Sequence, residues 1–197
     1  MYDGELVMTH IVYIHGANSS SASFNYIESK IKSKEKTKID YNSSYGFASN
    51  LEYMIEELSS HKKIFIIAHS LGGIYALHLY KHLPVIGALT ISTPYSGSSM
   101  ADWARYMFPN YKLFKEVGTK STPITDAKDI KLDIPWTQLV STTGRVPWMI
   151  PNNDGVVTIR SQKSRTDMEL IELPYNHYDI MCAPETVKII KEKILYK

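Results

Sequence analysis

The 197-residue chain has a single cysteine, Cys182, so it can form no internal disulfide and carries no Cys-X-X-Cys or cysteine-based zinc pattern. It has no uninterrupted apolar run of the length a membrane helix needs. Nor does it open with a basic region followed by an apolar run and a cleavage site, so it reads as cytoplasmic, without stable membrane insertion. Neither sign of charge dominates: 22 Lys and Arg face 20 Asp and Glu, a formal net charge of +2. That balance is too mild to predict a nucleic acid or an anionic membrane as a partner. The histidines lack ligand spacing such as His-Glu-X-X-His, so no metal is expected. Internal repeats and low-complexity linkers are missing as well. What remains is 44% hydrophobic and 21% charged residues, enough to bury a full core, and residues 1–197 read as one domain. Cys182 is expected as a small buried or half-buried side chain. The basic stretch Lys30 to Lys38, with Glu35 inside it, is expected as a solvated helix end.

Strand-like and helix-like segments alternate along the chain. Ile11 to Ile14 is a short β-branched run ending at His15-Gly16, and Phe24, Ile27 and Ile31 then recur at helical spacing. Ile39 to Tyr41 reads as a brief second strand. Leu51, Met54, Ile55 and Leu58 predict an amphipathic helix, with Ser49 and Glu52 as a capping box at its start. Ile64 to Ala68 is apolar at every position, as a strand buried on both faces must be. A helix from about Leu71 to His82 follows, then strands over Val85 to Ile91, Trp136 to Val140 and Met168 to Leu173, the last alternating as an edge strand would. Pro184 opens a final helix. Such alternation predicts an α/β fold: an open, mostly parallel sheet of about six strands with helices on both faces. Pro94 to Pro135, about forty residues, breaks the rhythm and is too long for a plain connection.

The segment Ala68-His69-Ser70-Leu71-Gly72-Gly73 falls between the fully buried strand and the next helix. A serine at a sharp strand-to-helix turn presents its hydroxyl above the carboxyl edge of the sheet, where open α/β sheets bind ligands. The turn demands small neighbours, and Ala68 and Gly72 are small. A serine that merely caps the helix is the competing reading. A serine hydroxyl is a weak nucleophile at neutral pH and needs a base with an orienting partner. Of the histidines after Ser70, His78 and His82 lie along the following helix, whereas His177 lies in a turn-rich loop between the last strand and the last helix. Asp154, in Asn152-Asn153-Asp154-Gly155, is the preferred acid, with Asp179 its main competitor. The backbone N–H groups of Leu71 and Ala17 are the expected oxyanion-hole donors, and His15 is expected to fix the Gly16-Ala17 loop by hydrogen bonds.

Ile14-His15-Gly16-Ala17, Ala68 to Gly73, Asn153 to Val157 and Asn176-His177 together resemble the motifs of the α/β-hydrolase superfamily, in their order. Within it the chain is similar to small bacterial, Bacillus-type lipases and esterases. Ser92-Thr93-Pro94-Tyr95-Ser96-Gly97-Ser98 is similar to a Thr-Pro-His-x-Gly-Ser stretch of many lipases, with Tyr95 in place of the histidine. The resemblance implies a three-layer α/β-hydrolase fold with a short cap insert. It also implies a Ser70, Asp154, His177 triad cleaving carboxylic esters of small molecules or lipids through an acyl-enzyme, with no cofactor. A thioesterase, peptidase or acyltransferase with the same triad, or a non-catalytic binding protein on this scaffold, remains open, as does the oligomeric state. Residues 95–134 are the expected cap or lid. Met100, Trp103, Ala104, Met107 and Phe108 form a helical apolar stripe there, with Ser99 as N-cap. Tyr95, Trp103, Met107 and Trp148 are the expected substrate contacts.

Overall fold

A computed structural model describes residues 9–97, 118–144 and 152–195. Its six strands are β1 (His10–Ile14), β2 (Lys36–Ile39), β3 (Ile64–His69), β4 (Val85–Ile91), β5 (Trp136–Ser141) and β6 (Glu169–Leu173). They form one sheet in the order β2-β1-β3-β4-β5-β6, with every pairing parallel. The helices are α1 (Asn25–Lys30, continuing a 3-10 turn over Ser21–Phe24), α2 (Phe47–Leu58), α3 (Leu71–Tyr80), α4 (Thr122–Asp129), α5 (Ile159–Gln162) and α6 (Pro184–Leu195).

Side chains of a strand point alternately to its two faces, and β3 shows what that does to the core. Ile64, Ile66 and Ala68 pack with Met54 and Leu58 of α2, Ile74 and Leu77 of α3 and Ile124 of α4. Phe65 and Ile67 pack on the other side with Ile27 of α1 and with Val187 and Ile190 of α6. The molecule therefore has three layers, and a strand covered on both faces has to be apolar throughout. Helix α3 is itself buried all round, from Leu71 to Leu79, because α2 and α4 cover the side facing away from the sheet. Helix α4 falls within the expected insert, yet it is docked on the body: Ile124 and Ala127 are buried, and His78 Nε2 bonds to Pro123 O at 3.0 Å. The helix expected over the Met100 to Phe108 stripe lies outside the described residues.

Four expectations need correction. The second strand is Lys36–Ile39, earlier than Ile39 to Tyr41, and the basic stretch is a helix end only at Lys30, the last residue of α1, before it supplies this strand. Only Ile39 of that strand is buried, and Lys36 and Lys38 both reach Glu28 at 2.7 Å, so the sheet edge is coated with paired charge. The Ser49–Glu52 box does not start α2. That helix begins at Phe47, after Gly46, because the Phe47 ring stacks on Tyr75 at 4.2 Å and pulls the first turn into the core. Cys182 is exposed: the 3-10 turn over Asp179–Cys182 points Ile180 and Met181 inward and leaves the thiol outside.

The chain leaves β1 for the β2 edge and returns at β3 on the other side of β1. That reversal opens a crevice at the carboxyl ends of β1 and β3, where doubly wound sheets hold ligands. Gly16-Ala17 follows β1, and Ser70 follows β3, so both lie at this crevice.

Candidate active site

Ser70 joins β3 to α3 with φ 52° and ψ −121°, a left-handed conformation that costs a non-glycine residue about 1–3 kcal/mol. Three main-chain features hold it there. Its N–H donates to Ile91 O at 2.8 Å, and its carbonyl accepts from Gly73 N at 3.0 Å. At Gly72 the helix comes so close to β1 that a Cβ would stand 2.3 Å from Ile14 O and 2.7 Å from His15 O. The Gly16 loop packs against the turn as well, less tightly: a Cβ on Gly16 would meet Ser70 Cβ at 3.0 Å. Ser70 and Ala17 are half-buried. The amides of Ala17 and Leu71 have no hydrogen-bond partner among the described residues, and Leu71, first residue of its helix, has none available within it.

The Gly16-Ala17 loop is fixed by His15. Its Nδ1–H donates to Gly16 O at 2.7 Å, Nε2 accepts from Tyr41 N at 3.2 Å, and the Tyr41 ring lies flat on the imidazole at 4.2 Å. Asp40 Oδ1 also approaches Nε2, at 3.3 Å. Burial, the largest influence, holds His15 below its ordinary pKa and favours the neutral ring that these bonds require.

Asp154 and His177 meet in the interior. His177 Nδ1–H donates to Asp154 Oδ2 at 2.7 Å, and His177 N donates to Asp154 O at 3.0 Å, so main chain and side chain clamp the same two residues. Both are buried, at 2% exposure for His177 and 0% for Asp154. Burial alone would raise the Asp154 pKa. The hydrogen bond and charge of His177, with the Ser141 hydroxyl and the Val157 amide, outweigh it and hold the carboxyl below its ordinary value. The loop is narrow because Gly144 lies against it: at φ 122°, a Cβ there would stand 2.3 Å from Asp154 O. With Nδ1 committed to Asp154, Nε2 is the ring nitrogen that this bond leaves unused. Among the described residues the Ser70 hydroxyl makes no hydrogen bond. Asp179 is held elsewhere, by Asn176 Nδ2 at 2.6 Å.

His69 ties the two halves together. Its Nε2–H donates to His177 O at 2.9 Å and its ring lies 4.8 Å from the His177 ring. Complete burial, then the neighbouring His177, push His69 down to about 3, so it is a neutral donor. Sequence reading had no role for His69, nor for Ser92, Ser141 and Gln162, which surround Asp154. Their only signal is polarity at positions where β4, β5 and the post-Asp154 turn are otherwise buried.

Tyr95, expected as a substrate contact, is instead in the core at 2% exposure. Its hydroxyl bonds to Thr90 Oγ1 at 2.6 Å and accepts from Trp136 Nε1 at 3.0 Å, bracing β4 against β5. The cavity it borders, about 520 Å³, is lined by Lys128, Lys131 and Arg165 among others and includes neither Ser70 nor His177. Trp103, Met107 and Trp148 lie outside the described residues. Among the described residues no cluster of three His, Cys, Asp or Glu is placed to hold a metal, and no helix is long and apolar enough to cross a membrane.

The fold is shared with solved hydrolases. A Bacillus licheniformis lipase, BlEst2 in mature form, superimposes with a TM-score of 0.68 at 16% identity, over 96% of this chain and 93% of that one. A lipase-esterase related protein from Clostridium acetobutylicum gives 0.61 at 16% identity, over 95% and 93%. The Vlm2 thioesterase domain gives 0.57 at 14% identity, over 95% and 98%. No protein-family model matches the sequence, and no curated protein matches it. The chain thus has the α/β-hydrolase fold and resembles that superfamily in structure.

Proposed function

We propose that the protein is a serine hydrolase of carboxylic esters, with Ser70 as nucleophile, His177 as general base and Asp154 as the orienting acid. The observation that carries this reading is the buried 2.7 Å Asp154–His177 bond beside a serine kept in a left-handed turn. Ser70 Oγ attacks the ester carbonyl as His177 Nε2 takes its proton, and Asp154 holds the imidazole's tautomer and stabilises its charge. The amides of Ala17 and Leu71, free of other partners among the described residues, receive the oxyanion. The proton on His177 passes to the departing alcohol, and a water activated by the same ring then clears the acyl group. These steps use no metal or organic cofactor. Trp103, Met107 and Trp148 are the proposed substrate contacts. Ester substrates are favoured because two of the structural neighbours are named as lipase or lipase-esterase related.

The test pairs a fluorophosphonate probe with p-nitrophenyl esters from acetate to palmitate. Wild type should label and turn over at least one ester, and Ser70→Ala should do neither. Labelling with turnover of acyl thioesters alone would move the substrate class to thioesters. An unlabelled wild type would leave a binding protein on a hydrolase scaffold.

A further inference from the structure

Asp154 carries more donors than the proposed chemistry asks of it. Oδ1 accepts the amides of Val156 at 3.0 Å and Val157 at 2.8 Å, an arrangement local to its own turn. Oδ2 accepts three side-chain donors: His177 Nδ1 at 2.7 Å, Ser141 Oγ at 2.5 Å and Gln162 Nε2 at 2.9 Å. Ser141 ends β5 and Gln162 ends α5, so two elements outside the Asp154 turn converge on a single oxygen.

Neither donor is free to turn away. The Gln162 amide pairs with the main chain of Ser141 as a neighbouring strand would: Oε1 accepts Ser141 N at 3.0 Å, and Nε2 also donates to Ser141 O at 3.2 Å. That pairing fixes which end of the amide faces Asp154. The Ser141 hydroxyl lies 2.7 Å from Ser92 Oγ. Because the carboxylate only accepts, Ser141 gives its proton to Asp154 and Ser92 must donate to Ser141. Ser92 is itself buried in a left-handed conformation, φ 53°. All four side chains are fully buried, where each such bond acts at full electrostatic strength.

From this convergence we infer that Ser141 and Gln162 are positioning residues that share Asp154 Oδ2 with His177, fixing the acid's rotamer and tempering the basicity of the imidazole. Two extra dipoles point their positive ends at the oxygen that faces His177. They compete for its charge and raise the local potential, so the imidazolium gains less from the carboxylate than from a sole partner. Other titratable groups facing His177 among the described residues are His69, bonded to its carbonyl, and Tyr178, whose ring stands 5.2 Å away; His15 lies beyond His69. His69 is already neutral, and Tyr178 is exposed, which leaves the Oδ2 donors as the adjustable part. The inference rests on His177 being the base, but its test does not depend on turnover.

The experiment is an NMR titration of the His177 Hε1 resonance, assigned by its loss in His177→Asn, in wild type, Ser141→Ala and Gln162→Met. Each variant should move the His177 midpoint upward, by roughly half a pH unit or more. Ser141→Thr, which restores a hydroxyl, should move it back. Ser92→Ala leaves both Asp154 donors in place and should give a smaller shift of the same sign; it carries the test should the other two fail to fold. A purely structural role would lower the melting temperature and leave the midpoint where it is, and an unmoved midpoint in the folded variants would overturn the inference. Loss of fluorophosphonate labelling in wild type would instead sink the ester reading, while the titration still decides this one.

Discussion

The Ser70 turn and the Asp154–His177 pair sit at one crevice but differ in how far side chains help to hold them. Around Ser70 the main chain does the work, through the Ile91 carbonyl, the close approach at Gly72 and the packed Gly16 loop. Around Asp154 and His177 side chains add to the main-chain clamp and the close approach at Gly144: Ser141 and Gln162 reach Asp154, and His69 reaches the His177 carbonyl. A site held by backbone contact fails by collision, when any side chain is added. A site held by hydrogen bonds fails gradually, one donor at a time. Variants should therefore separate the two halves by what they damage.

The largest effect is expected on chemistry. Ser70→Ala and Asp154→Asn should each lower kcat for a p-nitrophenyl ester by about 10⁴-fold or more, and the double variant should be little worse, because the residues act as a unit. Equal additivity of the two losses would break the picture of one coupled site. Next comes collision. Gly72→Val puts branched carbon where 2.3 Å separates a Cβ from Ile14 O, and should cost roughly 3 kcal/mol or prevent folding, measured by urea denaturation. Gln162→Met, at the hydrogen-bonded half, should stay folded under the same conditions. A tolerated Gly72→Val would mean that the Ser70 side is as forgiving as the other.

The smallest effect concerns acid. His69 is pushed down to about 3 in the fold from an ordinary 6.5, so the folded state prefers it neutral. Its contribution to stability is whole above about pH 6.5 and is lost progressively as pH falls toward 3, where the unfolded chain binds the proton and the folded one does not. His69→Gln keeps an N–H donor for His177 O and removes the titration. Its melting temperature should fall less steeply than that of wild type between about pH 7 and about pH 4. His10, His15 and His78 are depressed in the same direction and keep part of the slope. Parallel curves would assign the acid sensitivity to those three and to depressed carboxyls such as Asp154.

The same contrast explains what could be read from the sequence. The Ser70 side was legible because its causes are local: five buried apolar residues, small neighbours and an apolar helix leave few ways to fold. Strand β4 falls on Val85–Ile91 as expected for the same reason. Asp154 and His177 were legible through their order and loop positions, and they do meet. Their supports were not, because Ser92, Ser141 and Gln162 acquire meaning only when β4, β5 and α5 come together. Strand β2 was misplaced because an edge strand with paired lysines lacks the apolar signal that marks the central ones. Tyr95 was misassigned for a related reason: an aromatic after β4 suits a pocket wall or a strut equally well until Thr90 and Trp136 claim its hydroxyl.

Cys182 has a practical consequence. The chain's single thiol is exposed, in the connection between β6 and α6 that also carries His177. A maleimide fluorophore or spin label would attach there without the removal of any other sulfhydryl. It would ride on the segment that bears the imidazole, so its mobility and quenching would follow that segment in real time as an inhibitor enters and leaves.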